Sequence, residues 1–131
     1  MARDIDVTAD ITQVTRLAAQ LAGAGRRAVL PAAELVATTA TEVRDDLRTA
    51  ARGHATFPSF PASITHDVRG LDAEIGPDKQ RRQGALGNLL YFGTSRTGPA
   101  LEHPGRALDR ALPGFARALA QVGEDAIGRD R

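Results

Sequence analysis

Between Ser63 and Gly76 the side chains alternate apolar and polar, whereas on both sides of that stretch the apolar residues recur every three or four positions. No single kind of secondary structure satisfies both spacings, because strand neighbours point to opposite faces while helix neighbours three or four apart share one. In the alternating stretch Ile64, His66 and Val68 are interleaved with Thr65, Asp67 and Arg69, and Leu71, Ala73 and Ile75 with Asp72 and Glu74. With Arg69-Gly70 between them, the two runs predict a β-hairpin with one apolar face.

The flanking regions predict helices. Thr8 or Asp10 suits the cap of a first helix carrying Ile11, Val14, Leu17, Ala18 and Leu21, with a break at Gly23 and Gly25. A second helix is expected from Pro31, a residue favoured in a first turn, to about Arg52. Its stripe of Val36, Ala40, Val43, Leu47 and Ala50 leaves Glu42, Arg44, Asp45, Asp46 and Arg48 mostly off the buried face, and Gly53 stops it. The segment Phe57 to Pro61 reads as a linker in which prolines oppose helix. Leu86 to Phe92 fits a third strand or a short helix equally well. A last stripe of Leu108, Leu112, Phe115, Leu119, Val122 and Ala126 predicts a C-terminal helix, kinked or broken at Pro113-Gly114, before a frayed tail from Gly128. The expected architecture is therefore α+β: two N-terminal helices, one of them long, a small antiparallel sheet, and a C-terminal helix packed on the sheet. The chain is read as a single domain, 1–131, divided into an N-terminal helix and break (1–30), a long helix (31–53), a sheet region with a basic loop (62–93) and a C-terminal helix (104–128).

Such a domain has a modest core. The chain has 131 residues with 4% aromatics and no tryptophan, so alanine and small aliphatics must supply most of the burial. At about 25 cal/mol per Å² they contribute little per residue, which makes oligomerisation a plausible source of further stability. Seventeen basic against sixteen acidic side chains argue against a nucleic-acid binder that relies on overall positive charge. All the bases except Lys79 are arginine, a bias that looks like a GC-rich genome. There is no cysteine, hence no disulfide or thiolate metal site. Without an apolar signal core or a run of roughly 18 apolar residues, the expectation is synthesis and assembly in the cytoplasm.

Chemistry-bearing constellations are sparse. His54, His66 and His103 lack second ligands at metal-binding spacing, and His66 is expected to be a half-buried, hydrogen-bonded histidine on the apolar strand face. Ser63, His66 and Asp67 are close in sequence, but consecutive strand residues face opposite ways, which defeats a triad. Glu102-His103 before a proline reads as a solvated turn, and Asp45-Asp46 as an exposed helix face. The densest basic run, Gly76 to Gly84, holds Lys79, Arg81 and Arg82 between glycines, with no P-loop spacing. It suits contact with DNA phosphates, contact with acidic groups of an adjacent ring, or a solvated loop tip. No cofactor, metal or catalytic residue is expected, and the chain does not read as an enzyme.

The most specific segment is Gly84 to Pro104, GALGNLLYFGTSRTGPALEHP, in which Tyr91-Phe92 runs into Gly93-Thr94-Ser95, then a Gly/Pro loop, then a proline that opens the last helix. With the long helix before it, Ser63-Ile64 and Ile75-Gly76-Pro77, this order resembles the tail-completion or head-to-tail joining neck proteins of long-tailed bacteriophages, from about Ala32 onward. Two places depart from that pattern: Phe57 to Ile64 stands where family members often carry a Pro-x-x-Thr-Gly-x-Leu run, and the final loop has only Pro99 and Pro104. The resemblance implies a structural virion protein, a homo-oligomeric and expectedly hexameric ring between tail and neck. It implies as partners neck, stopper or adaptor proteins, tail-tube or terminator proteins, and non-specifically the DNA passing through the channel; it implies no membrane. It leaves open whether the ring is completion, terminator or adaptor. Lys79, Arg81, Arg82, Tyr91, Phe92, Gly93 and Thr94 are the expected assembly contacts, the aromatics anchoring the loop in the core. The alternative is a small helical regulator or partner-binding module, which suits the arginine content but lacks a helix-turn-helix pattern.

Overall fold

A computed structural model describes residues 2–128, with side chains from Thr15 onward, Leu17 apart. The elements are α1 (Ala2–Ala51), α2 (Phe60–Ser63), β1 (Ile64–Arg69), β2 (Asp72–Pro77), a 3-10 turn at Gly84–Leu86, α3 (Gly87–Phe92) and α4 (Gly105–Gly128). This is the expected α+β arrangement of a long N-terminal helix, a two-stranded antiparallel sheet and a C-terminal helix.

The N-terminal region corrects the sequence reading. Where a break at Gly23-Gly25 separates two predicted helices, one helix of 50 residues runs through both glycines and Pro31, starting upstream of Thr8 and Asp10. Each glycine costs about 1 kcal/mol in a helix, and an internal proline about 3 kcal/mol, because Pro31 cannot bond the carbonyl of Arg27. Tertiary contact offsets that cost. Gly23 and Ala24 are buried, and a Cβ on Gly23 would come within 3.0 Å of the Arg27 guanidinium. That guanidinium in turn donates to the carbonyl of Ala126 near the end of α4, at 3.1 and 2.9 Å. The predicted side-chain caps at Thr8 and Asp10, the stripe positions Ile11, Val14 and Leu17, and the tail beyond Gly128 lie outside what is described.

The hairpin forms with the apolar alternation intact. Ile64 pairs with Pro77, His66 with Ile75 and Val68 with Ala73, which puts the apolar set on one face. The turn is one residue later than predicted: Arg69 pairs with Asp72, leaving Gly70-Leu71 as the two-residue loop, with Gly70 at φ +59°. A positive φ at the first loop position suits glycine and matches the twist of the strands. Arg48 of α1 holds the sheet in place by donating two hydrogen bonds, 2.9 and 2.7 Å, to the carbonyl of Ile64. Arg44 reaches Nδ1 of His66 at 3.1 Å, so the half-buried histidine is hydrogen-bonded as expected. An arginine can only donate, so Nδ1 accepts and the proton of a neutral ring sits on Nε2.

Two further segments differ locally. The predicted linker contains a helical turn, α2, because Pro61 occupies a first-turn position, where its missing N–H costs nothing. Leu86 to Phe92 resolves as helix, so the sheet ends at Pro77 and does not extend to residue 93. Around these pieces Val43, Leu47, Ala51, Phe57, Phe60, Ile64, Leu90, Tyr91, Leu101 and Ala107 form one core cluster. Phe60 is its centre: fully buried, with Phe57 and Tyr91 edge-on at 6.3 and 5.8 Å.

α4 is continuous through Pro113, in place of the expected kink or break. Pro113 and Gly114 are exposed, so the carbonyl of Asp109 that Pro113 leaves unbonded can be served by water. The helix lies along α1 beside the sheet with a small-residue face inward. Ala107 and Ala126 are buried, and Ala111, Phe115, Ala118 and Val122 are half-buried.

Candidate assembly surface

The loop after Tyr91 is built as the sequence suggests, with one correction. Tyr91 is buried against Phe60, but Phe92, the expected second anchor, is 57% exposed and meets His103 edge-on at 5.5 Å. Neighbouring helix residues point about 100° apart, so α3 turns Leu90 and Tyr91 inward and Phe92 outward. Gly93 then reverses the chain at φ +74° and ψ −167°, a conformation almost confined to glycine, and a Cβ there would lie 2.5 Å from the carbonyl oxygen of Thr97. The Thr94 hydroxyl accepts from the backbone of Arg96 and Thr97, while the Thr94 amide donates to the Thr97 carbonyl at 2.8 Å. Ala100 and Leu101 both donate to the carbonyl of Leu90, at 3.0 Å, closing the loop back onto α3.

The hydroxyl of Tyr91 is buried without a hydrogen-bond partner among the described residues. Burial pushes its pKa up from 10.0 to about 12, since the phenolate would lose its hydration.

The basic loop is tied down rather than flexible. Asp78 donates its amide to Ser63 and accepts from Gln80 at 2.9 Å, and Gln83 accepts from the Ser59 amide at 2.7 Å. Gln83 itself holds a positive φ of 64°. Gly84 is buried under this turn, where a Cβ would collide with the carbonyl of Asp78 at 1.8 Å. Arg81 ties the loop to α2, donating to the carbonyl of Ala62 at 3.3 Å, and lies 3.8 Å from the carboxylate of Asp78. All three predicted contact bases are exposed, and of them Lys79 and Arg82 make no ion pair among the described residues.

Asp46, expected on an exposed face, instead joins α1 to α4. Arg110 grips its carboxylate with two hydrogen bonds of 2.8 and 2.9 Å and also reaches Glu102 at 2.5 Å. The hydrogen bond from Arg110 draws the Glu102 carboxyl below its ordinary range. His103 accepts from the Gly105 amide through Nδ1 at 3.0 Å, a turn that starts α4.

An apolar groove emerges that periodicity alone does not reveal. Its floor is α1 (Val36, Ala40, Val43, Leu47), one wall is the hairpin (Leu71, Ala73, Ile75), and the other is α4 (Leu108, Ala111, Leu112, Phe115). The open volume is about 420 Å³. Of its lining, Leu71, Leu108 and Leu112 remain 54, 48 and 46% exposed. Covering the open half of a leucine is worth about 1 kcal/mol, so this face leaves several kcal/mol of burial unrealised. The reason is the inward alanine face of α4: it turns the leucines to the edge of the seam. Exposed apolar patches of this kind mark interaction surfaces.

Among the described residues no group of three His, Cys, Asp or Glu side chains is arranged to hold a metal ion. No described helix is long and apolar enough to cross a membrane. Comparison with protein-family models, curated proteins and solved structures gave no match.

Proposed function

We propose that this chain is a structural virion protein that forms a ring at the head-to-tail junction of a long-tailed phage or prophage, joining tail to neck around the DNA channel. The observation that carries this reading is the open apolar groove between α1, the hairpin and α4, a surface with the character of a subunit contact. The segment order adds support: a long helix, a hairpin, a short apolar helix ending in Gly93-Thr94, a Pro-containing loop and a final helix. Lys79 and Arg82, held out on a fastened loop, suit docking to an acidic neighbour or to passing DNA. The protein acts by assembly in the virion, formed in the host cytoplasm, and carries out no chemistry of its own.

Electron microscopy of the purified protein, alone and with tail-tube protein, tests the reading, together with light scattering for the subunit number. Rings with a central channel, six-fold or otherwise, that cap tail tubes are the expected result. A protein that is monomeric in finished particles, or absent from them, overturns it.

A further inference from the structure

We propose that the N-terminal arm of α1 in one copy lies in the apolar groove of the next copy, joining subunits head to tail. The proposal rests on the ring reading only in requiring that copies of this chain meet one another.

Among the described residues, α1 is much longer than anything packed along it. α4 runs antiparallel to it, with Arg110 over Asp46 and Ala126 against Arg27, and ends at Gly128. The arm from Ala2 to Ala22, about 32 Å at 1.5 Å per residue, therefore continues past the end of α4. In its last two turns Arg16, Ala18, Ala19, Gln20, Leu21 and Ala22 are all exposed, Leu21 at 55%. A helix of this length is marginal in water without tertiary packing, so the arm calls for a surface to lie on. Its sequence provides a face for one, because Ile11, Val14, Ala18 and Leu21 recur at helical spacing.

The groove offers a matching surface. From Ile11 to Leu21 an α-helix advances about 15 Å, and the α4 wall of the groove, from Gly105 to Phe115, also spans about 15 Å. Laying an apolar helix face into such a cleft is a recurrent mode of recognition. The arm cannot fill its own groove, because Val36, Ala40 and Val43 on the groove floor belong to the same unbroken helix. The occupant must come from another molecule, and a second copy supplies one arm for every groove. Arm and groove are different surfaces, so the contact is heterologous, the type that closes into rings or continues as filaments.

Single-cysteine variants of the full chain test this directly, since the chain has no cysteine of its own. Leu21→Cys on the arm and Leu112→Cys in the groove both replace exposed side chains, and circular dichroism checks that each variant folds. After mixing equal amounts under mild oxidation, the expected product is the mixed disulfide dimer, several-fold in excess of either homodimer. The double variant should give a ladder of covalent oligomers. Predominant Leu21→Cys homodimers, which report arms pairing with each other, overturn the proposal. If light scattering finds an oligomer but no mixed dimer forms, the arm contact falls while the ring reading stands. If the chain is monomeric with its tail partners present and no disulfide forms, both fall.

Discussion

Replacing Tyr91 by Phe should make the protein more stable, although it removes a polar group from a well-packed site. The Tyr91 hydroxyl is buried with no partner among the described residues, and leaving a buried polar group unsatisfied costs about 1 to 3 kcal/mol. Phenylalanine keeps the ring in its edge-on contact with Phe60 at 5.8 Å, so little packing is lost. The expected gain is about 1 kcal/mol, a rise in Tm of roughly 3 to 5 °C for a chain of this size. Urea and thermal unfolding of both proteins at neutral pH measure it. A second signature lies at alkaline pH. Because the native pKa of Tyr91 is raised from 10.0 to about 12, the unfolded chain gives up this proton first as pH rises. The associated stability is present below pH 10 and is lost on the way to pH 12. Tyr91→Phe should lack that part of the alkaline decline. A variant destabilised by more than about 1 kcal/mol would refute the reasoning by showing that the hydroxyl has a partner, and an unchanged alkaline profile would refute it by showing that water reaches the hydroxyl.

Gly93→Ala should lose about 2 kcal/mol or more, because it combines a glycine-only backbone conformation with a Cβ 2.5 Å from the Thr97 carbonyl oxygen, and denaturant titration reads the loss. Phe60→Ala should cost about 3 to 5 kcal/mol, whereas Phe92→Ala, at an exposed position, should cost under about 1 kcal/mol; equal losses would contradict the burial described. Replacing Lys79 and Arg82 by Ser should leave Tm within about a degree or two; under the proposed head-to-tail role it should also impair joining of tails to heads or make it more salt-sensitive. Glu102 has a depressed native pKa, so its contribution is present above the ordinary glutamate range and is lost as pH falls through the lower native value. Glu102→Gln should flatten that part of the acid unfolding curve, measured by circular dichroism between neutral pH and pH 2.

The hairpin was legible in the sequence because a two-residue alternation admits few other structures. His66, Val68, Ala73 and Ile75 fall where that pattern puts them. The helix ends and breaks were less legible. Gly23, Gly25, Pro31 and Pro113 are local breakers, and what overrides them is tertiary: the Arg27 contact to Ala126 and the α1–α4 seam, between residues 99 positions apart. Of the site, Gly93 and Thr94 could be read as a turn, since their roles are set by neighbouring backbone. Phe92 could not be placed, because an aromatic pair does not say which member faces in. The groove was hidden for a related reason. The stripe Leu108–Leu112–Leu119 looks like the buried face of a helix, but the flatter alanine face next to it permits a closer helix approach and is the one turned toward α1.

That alanine seam has a mechanical consequence. Small side chains make shallow ridges, so two helices meeting through Ala107, Ala111, Ala118 and Ala126 would pay little for sliding a turn along one another. Two arginines prevent it, working in opposite directions. Arg27 reaches from α1 to the last turn of α4, and Arg110 reaches from the first turns of α4 to Asp46 of α1. Set 19 positions apart on α1 (46 − 27) and 16 apart on α4 (126 − 110), they act as bolts at the two ends of a smooth rail. One bolt ends on a main-chain carbonyl and the other on a side chain, so a single substitution, Asp46→Ala, would remove only the second and leave the helices free to pivot about Arg27.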